Sequence, residues 1–241
     1  MPSILIINPN STESMTKSLE SLVDSLGFSQ TKYGFFTAPS GPKSIDNMED
    51  AAASTAHCLP HLEPLLSQYD SFLVACYSEH PLIPALKSQP AVLEGRKPVT
   101  GIFEASISAS LQLVGPKQQF GIITSGKAWE VILADSVYKY LGTESSIKFS
   151  GVESTGLNAT DLHSGSAADV ERRMLEATKR LVWKGNVGVI CLGCAGMTGL
   201  TELVREVCLA ELGDEEGGAV RIVDGVQAGV AFLEGAVRAR N

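Results

Sequence analysis

Apolar residues along this chain fall into short unbroken runs, separated by longer stretches in which they recur every three or four positions. The runs Ile4–Ile7, Phe72–Ala75, Val99–Ile102, Phe120–Thr124 and Val187–Leu192 are four to six residues long. That length and a β-branched or apolar character suit strands buried on both faces of a parallel sheet. Helical spacing fills Ser11–Ser25, Asp46–Leu66, Ile107–Leu113, Ala128–Leu141, Ala167–Lys184, Thr198–Leu212 and Gln227–Arg238. Ser166 or Ser164 is placed to cap the fifth of these, with Asp169 and Glu171 in its first turn, where the helix dipole favours acids. Strands alternating with helices predict an α/β fold.

The pattern repeats. ILIINPNS from position 4 resembles FGIITSGK from position 120, and FLVACYS from position 72 resembles GVICLGCAG from position 188. Asn8 lies 68 residues before Cys76 and Thr124 lies 70 before Cys194, so the two halves keep step. The expectation is two similar Rossmann-like parallel-sheet lobes related by a pseudo-twofold. The first comprises residues 1–97 plus 208–241 and the second residues 98–207, with the active site in the cleft between them. Each half delivers a cysteine at the carboxyl end of a strand, where open α/β sheets bind ligands.

Composition narrows the partners. A net charge of −8 and a pI near 5.1, with scattered basic residues, argue against nucleic acid, whose phosphates need clustered Lys and Arg. The opening MPSILIINPN reads as a first strand and not as a secretory signal, and the longest apolar stretch, Val187–Leu200, is too short to span a bilayer. No membrane partner and a cytoplasmic location are therefore expected. Five cysteines, an odd number at low density, read as thiols and not as a disulfide framework.

Two of those thiols stand where chemistry is possible. Cys76 ends an apolar strand before Tyr77, Ser78, Glu79 and His80, with Pro81 placed to start a helix, and Cys194 ends VGVICLG before Ala195, Gly196 and Met197. A thiol facing the unpaired N–H groups of a helix start is in an environment that favours thiolate. Cys58 and Cys208, inside helical patterns, and Cys191, in mid-strand, read as small buried hydrophobes. One thiolate can remove a proton from a carbon acid while a thiol returns one from the opposite face. Near-attack contacts then require sulfurs roughly 7 Å apart. Backbone N–H groups of Tyr77, Ser78, Ala195 and Gly196 are placed to meet developing enolate charge. Such chemistry needs no metal and no organic cofactor.

Other motifs carry less. GIITSGKA from Gly121 is one residue short of a phosphate-binding loop, and Ala128 stands where a magnesium-binding hydroxyl is required. Cys191 and Cys194 have CxxC spacing, which leaves a redox dithiol open but lacks the further ligands that zinc needs. His57 and His61 read as a solvated helix face, His163 lies in a polar loop without an evident partner, and no GxSxG turn is present.

INPNST at Ile7, GPKSID at Gly41, CYSEHPL at Cys76, GIFEAS at Gly101, GIITSG at Gly121 and LGCAGM at Leu192 together resemble the signatures of the hydantoin and allantoin racemases, in the aspartate/glutamate racemase superfamily. The resemblance covers nearly the whole chain. It implies a cofactor-independent racemase of 5-substituted hydantoins or allantoin, with Cys76 and Cys194 as the catalytic pair. Ring contacts would come from Asn8, Asn10 and Ser11, and Ser44, Ile45, Phe103, Glu104, Thr124 and Ser125 would line the pocket. It also implies a small hydantoin-like substrate and a homo-oligomer. After the first cysteine an Asp-Pro-Gly turn is usual, and SEHPL stands here instead. Glu79 and His80 thus become candidates to bind a substituent or tune Cys76, with His80 as acid/base group weighed against a solvated turn residue. Decarboxylation of a malonate, isomerisation of a small diacid, and a non-catalytic ligand-binding or thiol-redox role are the competing readings.

Overall fold

The computed structural model describes residues 1–239, apart from the side chains of His163 and Ser164, so the capping reading of Ser164 lies outside the described residues, while His163, expected in a polar loop, falls within the short helix Ala159–Ser164. Ser166 does occupy the cap position of the fifth expected helix, though its side chain makes no capping bond.

Four of the five apolar runs become the inner strands of two parallel sheets, and the run at Val99 becomes an edge strand of the first. In the first unit, Met1–Ala105 with the segment from Val226 onward, the elements are β1 (Ser3–Asn8), α1 (Glu13–Ser25), β2 (Lys32–Thr37), α2 (Met48–Leu62), β3 (Ser71–Val74), α3 (Leu82–Lys87), α4 (Pro90–Glu94) and β4 (Val99–Gly101). Strand order is β2-β1-β3-β4, with Ile7 opposite Val74 and Val74 opposite Gly101. Helix α5 (Ile102–Leu113) carries the chain into the second unit, Ser106–Gly225. There follow β5 (Gln119–Thr124), α6 (Ala128–Leu141), β6 (Phe149–Ser154), α7 (Ala159–Ser164), α8 (Ala167–Val182), β7 (Val187–Gly193), α9 (Thr201–Ala219) and β8 (Arg221–Asp224). The order β6-β5-β7-β8 repeats the first sheet element for element. Helix α10 (Gly225–Arg238) returns to the first unit.

Both faces of the inner strands are covered, as their sequences require. Leu5 and Ile7 of β1 pack with Phe72, Val74, Leu62 and Leu86, while Ile4 and Ile6, which point the other way, are equally buried. Each such side chain contributes about 1.5–3 kcal/mol. Helix α10 lies close on β3: a Cβ on Gly229 would fall 2.5 Å from Leu73 Cδ1. Its buried Glu234 receives hydrogen bonds from Thr31, Tyr33 and Arg238, tying α10 to the β2 edge. In the second unit, Ile123, Ile190 and Leu192 pack with Met174, Leu181, Val204 and Cys208.

Three details differ from the sequence reading. Residues 208–225, expected with the first lobe, belong to the second unit because β8 pairs with β7, and the crossover falls inside α5 instead of at residue 97. Ile102 opens α5 and is not strand. Helix α9 extends past the expected Leu212 to Ala219, kinked at Gly213 with φ 81°.

Candidate active site

In the first unit, β3 makes its last ladder bond from Ala75 N–H to Ile7 O (2.8 Å) and then turns, leaving Cys76 half-buried at the sheet's carboxyl end. Cys76 Sγ lies 3.6 Å from Ser78 Oγ, on a buried serine. The turn is held from below by His80, which is neither solvated nor placed as an acid/base group. Its Nδ1 accepts from Leu82 N–H (3.2 Å), the first residue of α3, so Nε2 carries the proton and donates to Ser54 Oγ (3.1 Å). Ser54 in turn donates to Ala51 O. Burial lowers the His80 pKa to about 4, so the ring is neutral at physiological pH. Ser54, deep in the α2 pattern, gives no sequence sign of this role.

Tyr77 packs edge-on against Phe103 with ring centroids 5.6 Å apart, which joins the Cys76 turn to the start of α5. The next residue, Glu104, is largely buried, and its Oε2 has no hydrogen-bond partner. A Cβ on Gly101 would collide with that oxygen and with Ile83 Cδ1, so the carboxyl occupies space that only glycine leaves. Burial pushes the Glu104 pKa up to about 7, against the opposing influence of backbone hydrogen bonds and of Lys87.

The loop after β1 is cross-linked to residues 41–43. Asn8 is buried, and its Nδ2 donates to Asn10 Oδ1, Thr12 O and Thr16 Oγ1. Asn10 Oδ1 also accepts from Thr12 N–H. Ser11 Oγ donates to Gly41 O and Pro42 O, and Thr12 Oγ1 to Lys43 O (2.7 Å). Ser44 donates to Asp46, and Ile45 is buried. The side chains read as ring contacts thus make their hydrogen bonds within this loop and shape it.

In the second unit Cys194 follows β7 directly, half-buried, with an extended backbone (φ −162°, ψ 138°). Its Sγ accepts from Gly196 N–H at 3.3 Å, in the 3₁₀ turn Ala195–Met197. Gly193 has no room for a side chain: a Cβ would lie 2.6 Å from Ile123 O. Thr124 is buried and its Oγ1 donates to Gly193 O (3.2 Å), while buried Ser125 accepts through its carbonyl from Gly156 N–H and Thr155 Oγ1. Both residues hold the strand ends together. Cys191 is buried, 3.0 Å from Ser110 Oγ. Three extended residues separate Cα atoms by about 10 Å, beyond the 4.4–6.8 Å usual for a disulfide, so the Cys191–Cys194 dithiol reading has no geometric support.

The remaining thiols are inert by burial. Burial pushes Cys58 up to about 12 and Cys208 up to about 11, and Cys58 donates to Pro9 O beneath the β1 loop. Among the described residues no group of three or more His, Cys, Asp or Glu is placed to hold a metal, and no helix is long and apolar enough to cross a membrane.

Two sheets of identical strand order, each ending its third strand in chain order with an accessible cysteine, define a two-lobed α/β enzyme of the racemase class. The chain matches the family model of Asp/Glu/hydantoin racemases over residues 4–233 and belongs to that family. It is 36% identical over 236 residues to an uncharacterised protein of Schizosaccharomyces pombe, covering 98% of this chain and 92% of that one. It is 30% identical over 232 residues to a hydantoin racemase of Pseudomonas sp., covering 96% and 84%. Among solved structures, allantoin racemase from Pseudomonas fluorescens superposes with a TM-score of 0.81 at 23% identity, covering 98% of this chain and 91% of that one. Within the family the chain belongs with the hydantoin racemases.

Proposed function

We propose that this protein racemises a 5-substituted hydantoin or allantoin at its C5 carbon, with Cys76 and Cys194 as the two acid/base groups. The observation that carries this reading is the contrast among the five thiols: Cys58, Cys191 and Cys208 are buried, whereas Cys76 and Cys194 alone are partly accessible, at equivalent places in two like sheets. One sulfur, as thiolate, takes the C5 proton, and the C–H electron pair moves into the adjacent carbonyl to give an enolate. The other sulfur, as thiol, delivers its proton to C5 on the opposite face. The product is the mirror image, and the two sulfurs have exchanged roles, so the reaction runs equally in reverse. The Gly196 N–H at Cys194 is a contact that sulfur makes more strongly as an anion. N–H groups of the turns after each cysteine are the donors available to the enolate oxygen. Glycines at 193 and 196 let backbone approach a flat ring closely.

The test is the fate of the C5 proton. In deuterated buffer a single enantiomer should take up deuterium at C5 while optical rotation decays to zero. Cys76→Ser and Cys194→Ser should each stop racemisation, and each should retain exchange with one enantiomer only. Wild-type rates in both variants would rule the mechanism out.

A further inference from the structure

The turn between Cys76 and α3 is fixed at both ends. Ala75 N–H still pairs with Ile7 O at the first, and His80 O accepts from Ile83 N–H (3.0 Å) at the second. Between them Ser78 N–H donates to Cys76 O (3.1 Å), and the buried Ser78 Oγ lies 3.6 Å from the sulfur. The His80 ring adds a directed chain of hydrogen bonds, from Leu82 N–H to Nδ1, from Nε2–H to Ser54 Oγ, and from the Ser54 hydroxyl to Ala51 O. His80 and Ser54 are both buried, so these polar atoms must find their partners inside the protein. A ring that accepts at Nδ1 and donates at Nε2 satisfies both neighbours at once. Burial keeps it neutral at physiological pH, so that pattern of donor and acceptor is retained there. One side chain thereby ties the cysteine turn to α2 and α3. The turn after Cys194 is supported differently: residues 195–200 contain no histidine, and Gly196 N–H contacts the sulfur directly.

We infer that His80 is a positioning residue for Cys76: by fixing the turn against α2 and α3 it sets where that sulfur stands, without itself touching substrate. The inference rests on the racemase reading above and deepens it by giving a side-chain support to one sulfur and not to the other. Because the two sulfurs serve opposite faces of C5, loss of that support weakens proton removal from one enantiomer only. A misplacement of about 1 Å costs on the order of a hundredfold in such a transfer.

The experiment uses three variants. His80→Leu keeps apolar bulk but offers no polar atom, His80→Asn keeps an acceptor for Leu82 N–H, and Ser54→Ala removes the acceptor of Nε2–H. Each pure enantiomer of a 5-substituted hydantoin is placed in deuterated buffer, and the initial uptake of deuterium at C5 is read. His80→Leu should slow uptake by roughly tens-fold to a hundredfold for the enantiomer that Cys76→Ser also fails to exchange, and should keep the wild-type rate for the other. Ser54→Ala should show the same one-sided loss, and His80→Asn should recover most of it. Alkylation by iodoacetamide, followed by mass spectrometry, should change in rate at Cys76 and not at Cys194. A merely structural role would move both enantiomers and both thiols together. Equal loss for the two enantiomers, or loss for neither, in a variant that stays folded by circular dichroism overturns the inference, as does a His80→Asn no better than His80→Leu. Should His80→Leu not fold, Ser54→Ala decides by the same criterion. Failure of the wild type to racemise hydantoins sinks the racemase reading itself, and the alkylation contrast, which needs no substrate, still tests the support of Cys76.

Discussion

The turns that follow Cys76 and Cys194 occupy the same place in two sheets of the same strand order, yet they are built by different means. The first is held by side chains: His80 bridges Ser54 to the start of α3, Tyr77 leans on Phe103, and Glu104 fills the space over Gly101. The second is held by backbone, with Gly196 N–H on the sulfur and Gly193 too tightly packed for any side chain. Residues 195–200 contain no ionisable side chain, whereas residues 77–80 include Glu79 and His80. A repeated fold has kept the position of the thiol but not its surroundings. The first unit should therefore respond to pH and the second to added bulk.

The largest effect should come from the sulfurs, because the comparison assumes that both are needed. Cys76→Ser and Cys194→Ser should each lower racemisation about 10²–10⁴-fold, the usual contribution of a positioned acid/base group. Polarimetry measures this directly. Loss in one variant only would break the equivalence of the two turns.

Next is His80→Ala, which leaves Leu82 N–H without its acceptor and Ser54 without its donor, and opens a cavity. A stability loss of about 2–4 kcal/mol in urea titration is expected. In the wild type, a folded pKa near 4 against an unfolded value near 6.5 means that His80 contributes stability present above pH 6.5 and lost as pH falls toward 4. His80→Ala should remove that share of the acid-side loss. Gly193→Ala should cost about 1–3 kcal/mol through overpacking against Ile122 and the Ile123 carbonyl, with no dependence on pH. A pH-dependent cost there would contradict the contrast between the units.

Much of this arrangement was legible in sequence, for a physical reason. The inner strands β1, β3, β5 and β7 are buried on both faces, so each is a plain apolar run, and the cysteines after β3 and β7 stand out where those runs stop. Among the edge strands, β4 is buried throughout and showed as an apolar run, whereas β2 (KYGFFT), β6 (FSGVES) and β8 (RIVD) went unread because they are partly solvated, which admits Lys32, Glu153 and Arg221. The short helices α3, α4 and α7 are too brief to show a period, though Pro81 did mark where α3 begins. His80 looked like a turn residue because its partner Ser54 lies 26 positions away on α2, a separation that no local pattern encodes. Asn8 and Thr124 were placed correctly at strand ends, but whether an amide or hydroxyl faces inward depends on partners such as Thr16 and Gly193 that only the fold supplies.

The smallest effect comes from the buried charge of Glu104. Its folded carboxyl titrates near 7 against 4.5 for the unconstrained group, so the folded state holds its proton more tightly than the unfolded state does. The stability this contributes is fully present below about pH 4.5 and is lost as pH rises toward 7, opposite in sign to His80. Glu104→Gln removes the ionisation but keeps the shape. The variant should match the wild-type Tm near pH 5 and exceed it by a few degrees at pH 8, as followed by circular dichroism. A Tm raised equally at both pH values would mean that Glu104 is strained by packing and not by charge. A Tm lowered at pH 8 would mean that its carboxylate is stabilised in the fold, and the contrast between a charge-sensitive first turn and a backbone-built second turn would lose its main support.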